Sequence, residues 1–378
     1  MICELKYPSK PSERHVLSQT ESALFDTFGI SSKKLIRGDN LHVLQFLRKN
    51  GYAGNIDLIY IDPPFATKNV FTVGNERTRT MSRRDLDTIA YSDTMVGIEY
   101  LEFIRKRLIF AKELLSEHGS IYLHIDYKIG HYIKILMDEV FGEKNFRNDI
   151  SRIKCNPKNF SRNAFGNIKD MVLFYSKGDN PIWNEPRLAF SSEELERLYK
   201  KKDEKGRAYT TIPLHAPGET KNGLTAQAFH GLLPPVGRHW RCPPAELEDL
   251  DRKGLIEWSK TGVPRKIIYA DSQTGKKIQD IWEYKDSQNP SYPTEKNLKM
   301  LHMIVSASSL PESTVLDFFC GSGTTLVAAQ ELGRNWIGID NSEAAISTVK
   351  RRLAKFNNEL WNCADYDFCQ QIDSIKLC

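Results

Sequence analysis

Hydrophobic positions along the chain alternate between short runs and helical stripes. Lys34–Arg37 reads as a short strand, and Leu41, Val43, Leu44 and Leu47 follow at helical spacing. Ile56–Ile61 is a compact, mostly apolar run of strand length. It stops at Asp62-Pro63-Pro64-Phe65, because two prolines cannot continue a central strand. Tyr100, Phe103, Ile104, Leu108, Ala111, Leu114 and Leu115 predict an amphipathic helix closed by Gly119, then a strand from Ser120 to Ile125 and a helix through Phe141. From Asn148 to about Asn289 the rhythm changes to strands, turns and one charged helical stretch, Ser192–Lys202. It then returns: a helix over Lys296–Ser306, a strand at Thr314–Leu316, a glycine loop, a helix to Leu332, a strand at Trp336–Asp340 and a last helix over Ser342–Asn357. Strands alternating with helices predict an α/β fold with a parallel sheet covered on both faces, interrupted by an insertion. Residues 66–94 read as a long polar loop, expected to be mobile, and the tail after Asn358 carries no usable pattern.

Composition narrows the class. With 40% hydrophobic and 27% charged residues, a packed core is expected rather than disorder. No stretch approaches the ~18 apolar residues of a membrane span, and the N-terminus has no apolar leader, so a cytoplasmic location is expected. Seven scattered cysteines form no CxxC pair, which argues against a disulfide framework or a structural metal. The net charge is only +5, but it is unevenly spread: Asn145 to Pro290 carries 25 Lys+Arg and 19 Asp+Glu, or +6, so the remainder sums to −1. Lys68, Arg77, Arg79, Arg83 and Arg84 add a local basic run after the proline turn. Both features suit a polyanion.

Two strand ends carry candidate chemistry. Asp317-Phe318-Phe319-Cys320-Gly321-Ser322-Gly323-Thr324 joins a strand to a helix, where bare glycines let a ligand approach the backbone. Asp340 ends the next strand 23 residues after Asp317, a spacing that suits a ribose diol. Leu326 stands where a dinucleotide fingerprint needs its third small residue, which argues against NAD. At the other strand end, Asp62 and the Pro63 carbonyl can accept the two N–H bonds of an exocyclic amine, and Phe65 can stack on a planar base.

These stretches, with Arg37-Gly38-Asp39-Asn40, Ala90–Thr94, Gly119–Asp126 and Tyr292-Pro293-Thr294-Glu295-Lys296, resemble the DNA amino-methyltransferases that use S-adenosylmethionine. Their order resembles the permuted group in which the catalytic half precedes the cofactor half, and Gly237–Arg241 with Asp280-Ile281-Trp282 resembles relatives of type III modification subunits. Two residues depart from the family pattern: Phe318 stands where proline is commonest, and Phe65 where tyrosine often ends the tetrad.

The resemblance implies a Rossmann-like methyltransferase sheet, circularly permuted. Its parts would be an N-terminal segment (1–32), a catalytic half (33–176), a target-recognition insertion (177–290), a cofactor half (291–358) and a tail (359–378). It implies catalysis by Asp62, Pro63, Pro64 and Phe65, with Phe65 and Tyr175 as walls for a flipped base. The cofactor would meet Asp39, Asn40, Asp317, Phe319, Gly321, Gly323, Thr324 and Asp340, and Lys296 would meet the cofactor's carboxylate or orient Asp317. Lys68, Arg77, Arg79, Arg83, Arg84, Arg238 and Arg241 are the expected DNA contacts, whereas Trp183, Trp240, Trp258 and Trp282 are expected in the core. The implied substrate is N6 of adenine in double-stranded DNA, because Asp rather than Ser opens the tetrad. Cytosine N4, RNA and an inactive DNA-binding subunit stay open as alternatives, as do a homodimer and a separate restriction endonuclease.

Overall fold

In the computed structural model of the chain, Ile56–Ile61 runs near the middle of a ten-stranded mixed sheet. The structure describes residues 4–19, 23–25, 27–64, 69–73, 78–79, 88–93, 97–157, 163–272, 274–286, 295–356 and 365–372. Across the sheet the strands are Leu24–Phe25, Asp367–Ile372, Lys34–Arg37, Asn335–Asp340, Thr314–Asp317, Ile56–Ile61, Leu115–Ile125, Lys169–Ser176, Phe146–Ile153 and Ile281–Trp282. From Asp367–Ile372 to Leu115–Ile125 every neighbouring pair is parallel. Lys169–Ser176 is antiparallel to both of its neighbours.

The central strands are apolar almost without interruption because both of their faces are covered. Helices Asn40–Leu47, Gly97–Leu114 and Gly130–Phe141 bury their stripes in one cluster with the sheet. Helices Leu298–Ser308 and Thr324–Glu331 pack on each other and bury a second set that includes Met300, Ile304, Leu326 and Val327. Helix Glu343–Leu353 starts at its Ser342 cap, whose hydroxyl accepts from Ala345 N–H. Among the described residues no helix is long and apolar enough to cross a membrane.

The chain divides into two units, one of Met1–Pro186 with Gln279–Cys378 and the other of Arg187–Ile278. The second is narrower than the insertion the sequence suggests. Ile281–Trp282, inside the expected insertion, joins the main sheet, as do Phe146–Ile153 and Lys169–Ser176 of the expected catalytic half. Within Arg187–Ile278, an antiparallel sheet of four strands, a hairpin (His215–Pro217 with Arg238–Trp240) and helix Pro244–Arg252 surround Leu214, Phe229, Trp240, Leu247 and Ile256.

Two segments differ from their reading. Within 66–94, Asn69–Val73, Thr78–Arg79 and Thr88–Asp93 form a three-stranded antiparallel sheet, so this is not a structureless loop. In the tail, Asp367–Ile372 pairs with Lys34–Arg37. Its polar composition hides it, since Cys369 alone of the strand is fully buried.

Candidate functional site

Strand register gathers the candidate acids at one edge. Leu316 lies beside Ile59, Asp317 beside Gly338, and Asp340 beside Arg37. Because these strands are parallel, the residues that follow them (Asp39, Asp62, the glycine loop and Asp340) emerge together at their carboxyl ends, where α/β sheets bind ligands.

The glycine loop is built for close approach. Gly321 and Gly323 take φ of +47° and +74°, and a Cβ at Gly323 would lie 2.8 Å from Val349 Cγ2. Gly338 on the next strand leaves room for Leu326, whose Cδ1 would sit 2.3 Å from a Cβ there, so the bulky residue at the fingerprint's third position is accommodated. Asp340 accepts from Gly321 N–H and Ser342 N–H, each at 2.9 Å, and burial raises its pKa against those bonds. Asp317 is 2% exposed; it accepts from Thr325 Oγ1 at 2.6 Å and Phe319 N–H at 3.0 Å. Burial pushes its pKa up to about 7 despite both bonds. Arg352 Nη1 donates to Ser322 O, Ser322 Oγ and Thr324 Oγ1 at 3.0, 3.1 and 2.9 Å, holding the loop from helix Glu343–Leu353.

Asp39 caps helix Asn40–Leu47 through bonds from Leu41 and His42 N–H, and its own N–H donates to Gln371 of the tail strand. Asn40 Nδ2 donates to Phe318 O at 2.6 Å, and Phe318 itself is fully buried. Arg107 is the residue that the sequence reading misses here. Its Nε donates to Asn40 Oδ1 at 2.6 Å, its Nη2 lies 3.6 Å from Asp39, and its guanidinium stacks 3.5 Å from the centre of Phe103. Burial pulls its pKa down to about 10 although Asp39 opposes the shift. Arg107 shares its helix with a second buried arginine, Arg105, so an arginine among apolar helix positions is a signal that does not by itself single it out.

At the Asp62-Pro63-Pro64 turn, Tyr100 Oη donates to Pro64 O at 2.5 Å. Lys296 Nζ lies 2.5 Å from Asp62 Oδ2, so the structure brings Lys296 to Asp62 rather than to Asp317. Asp62 Oδ1 is buried and has no hydrogen-bond partner among the described residues. Behind the turn, Tyr60 Oη bonds His124 Nδ1 at 2.9 Å, and His124 Nε2 lies 3.2 Å from Asp170 Oδ2. Lys154 pairs with the other Asp170 oxygen at 2.6 Å. Burial holds the His124 pKa below its ordinary value, although the bond to Asp170 opposes the shift. For Asp170 burial acts upward, but His124 and Lys154 more than offset it and keep the group ionised.

Other expected contacts separate. Tyr175 is fully buried, donates to Asp138 Oδ1 at 2.7 Å and packs on Phe141 and Phe146, so it cannot wall a flipped base. Its register opposite Ile121 places it well inside the sheet, away from the edge where Asp62 and the glycine loop emerge. Arg238 and Arg241 are exposed and, with Arg265, surround His215, whose pKa burial and these three cations lower. Trp240 and Trp282 are buried, whereas Trp183 and Trp258 stay half exposed, stacked on Phe174 and Phe229. Phe65, Lys68, Arg77, Arg83 and Arg84 lie outside the described residues, as does the side chain of Arg79.

The donor chemistry fits S-adenosylmethionine. Bare glycine backbone, two carboxylates for a cationic ligand with a ribose diol (Asp317 buried, Asp340 half-buried), and an Asp62 oxygen with no partner among the described residues meet at one edge. Residues 56–351 match the N6_N4_Mtase family model, described as DNA methylase. Type II methyltransferase M.EcaI of Enterobacter cloacae is 40% identical over 365 residues, covering 93% of this chain and 77% of its own length. The type III restriction-modification enzyme StyLTI Mod subunit of Salmonella typhimurium is 27% identical over 381 residues, and the match covers 92% of this chain but only 56% of that subunit. A solved M1.HpyAVI–SAM complex aligns with 85% of the chain at 17% identity and a TM-score of 0.45, too distant to bear on the chemistry. The family match spans most of the sheet and both strand ends, so the chain belongs to the N6_N4 DNA methylase family, methyltransferases that use S-adenosylmethionine.

Proposed function

We propose that the chain is a site-specific modification enzyme that methylates N6 of an adenine flipped out of double-stranded DNA. The observation that carries this reading is the divided Asp62 carboxylate: Oδ2 is held by Lys296, and Oδ1 is buried without a partner among the described residues. An unsatisfied buried acceptor costs about 1–3 kcal/mol until a donor arrives. An amine N–H supplies one.

An exocyclic amine is a poor nucleophile because its lone pair is conjugated with the ring. Asp62 Oδ1 and the Pro63 carbonyl would take its two N–H bonds and favour a pyramidal nitrogen. The gain is positioning and electrostatic stabilisation. S-adenosylmethionine supplies an electrophilic methyl group on a sulfonium. Asp317, Gly321, Gly323, Thr324 and Asp340 would hold it, with Asp39 and Asn40 near its adenine. Asp62 accepts the proton as positive charge develops on the amine, so no anion needs to form beforehand. The target base must leave the duplex, at a cost of a few kcal/mol, and Phe65 is proposed to stack on it.

Arg187–Ile278 contains 17 Lys+Arg and 12 Asp+Glu, a net +5 equal to the whole chain's. We assign it target recognition, with Arg238 and Arg241 on phosphates. Such contacts supply salt-dependent affinity, while base discrimination comes from groove contacts. Adenine is chosen over cytosine because Asp62, not Ser, opens the tetrad. Methylation-sensitive long-read sequencing of DNA from cells expressing the chain is expected to show N6-methyladenine within one short motif. N4-methylcytosine in its place would overturn the choice of base, and unmodified DNA would overturn the assignment.

A further inference from the structure

Lys296 and Glu295 lie just before the Asn297 cap of helix Leu298–Ser308, and they reach in two directions. Lys296 Nζ meets Asp62 Oδ2 at 2.5 Å, with side chains only 9% and 16% exposed. Glu295 Oε1 meets Arg352 Nη1 at 3.1 Å, and that guanidinium is the one bonded to Ser322 and Thr324 in the glycine loop. Asn297 fixes this stretch further by capping Lys299 and Met300 N–H and donating to Lys285 O at 2.8 Å. A continuous chain of charged contacts therefore runs from the catalytic carboxylate to the cofactor loop through two adjacent residues.

We propose that Lys296 is a positioning residue for methyl transfer, and that Glu295 and Arg352 place it relative to the cofactor loop. A carboxylate alone can rotate about its terminal torsion and offer either oxygen. Binding Oδ2 to an ammonium removes that freedom and leaves Oδ1 as the acceptor for the target amine. The pair also keeps the poorly solvated Asp62 charge compensated; removing one partner of such a pair leaves the other costly. Glu295 and Arg352 tie Lys296 to the loop that holds the methyl donor. The same dipeptide thus aligns acceptor and donor sites. The inference rests on the reading of Asp62 as the group that receives the amine.

The test uses the full chain and the variants Lys296→Met, Lys296→Arg, Glu295→Gln and Asp62→Asn. Single-turnover methylation is measured at saturating duplex and donor, and S-adenosylmethionine affinity separately by calorimetry. Lys296→Met is expected to slow the step by about 100-fold, the size of effect a small misplacement produces, while donor Kd changes by less than about threefold, the pattern of an interaction needed in the transition state. Lys296→Arg should recover about tenfold of that loss, because its charge still reaches Asp62. Glu295→Gln should slow the step severalfold with unchanged donor Kd, and add nothing to Lys296→Met. A donor Kd that rises in step with the rate loss would make Lys296 a cofactor ligand and overturn the proposal, as would an unaltered rate. If Lys296→Met does not fold, Glu295→Gln decides alone: a slower step at unchanged donor Kd supports the proposal, and an unaltered rate overturns it. Asp62→Asn keeps the two readings apart. Normal turnover there defeats the site assignment itself, whereas its loss beside a normal Lys296→Met defeats only this inference.

Discussion

Replacing Asp317 by Asn should make the protein's stability less dependent on pH. Burial raises the Asp317 pKa from 3.8 to about 7. A carboxyl with a raised folded-state pKa binds its proton more tightly in the folded chain. Its stabilising contribution is fully present below the unfolded value and is lost as pH rises through the folded one. At about 1.4 kcal/mol per pH unit, that loss is on the order of 4 kcal/mol between pH 4 and 7. Asn is nearly isosteric and always neutral. Its carbonyl can keep the Phe319 N–H bond, and the Thr325 hydroxyl can turn to accept from its amide. Urea unfolding of both proteins without donor at pH 5, 6, 7 and 8, followed by tryptophan fluorescence, isolates the effect as a difference between two curves. Wild type should lose stability relative to Asp317→Asn from pH 5 to 7 and hold level above. A constant difference would refute the claim that Asp317 is a strained, half-protonated acid near neutral pH.

Three further outcomes follow from the same geometry. Gly323→Ala forces a left-handed φ on a residue with a Cβ and drives that Cβ to 2.8 Å from Val349, at about 1–2 kcal/mol for the backbone alone. Differential scanning fluorimetry should show a lower Tm and calorimetry a weaker donor Kd; an unchanged Kd would remove the loop from the binding site. Tyr175→Phe loses the bond to Asp138 and should cost about 1 kcal/mol of stability with no change in single-turnover rate, whereas a slowed step would restore Tyr175 as a base contact. Replacing Arg238 and Arg241 by Ala should lower the slope of log K against log salt by about 2 in DNA-binding titrations; an unaltered slope would place both residues off the DNA.

The parts of the site legible in the sequence are those made locally. Asp62-Pro63-Pro64 ends its strand because proline cannot donate to a ladder, and Gly321 and Gly323 mark left-handed backbone; both signals sit within a few residues. The alternation of strands and helices likewise reveals the central parallel sheet. What remains hidden depends on tertiary pairing. Lys296 meets a carboxylate in the opposite half of the chain, and the resemblance, which sends it to the cofactor's carboxylate or to Asp317, does not show that pairing. Arg107 reaches Asp39 and Asn40 because two helices pack together, which periodicity alone does not place. Tyr175 looks like any strand aromatic until register sets its depth in the sheet. Asp367–Ile372 is inserted as a strand by pairing, against its polar composition.

The central claim is that Asp62 presents a buried oxygen to an exocyclic amine of adenine in DNA. Purified wild type and Asp62→Ala, incubated with duplex DNA and isotope-labelled S-adenosylmethionine, test it directly by mass spectrometry of the digested nucleosides. The account predicts labelled N6-methyladenine from wild type and none from Asp62→Ala, with donor binding retained in the variant. Label on cytosine N4, or undiminished label from Asp62→Ala, would contradict it.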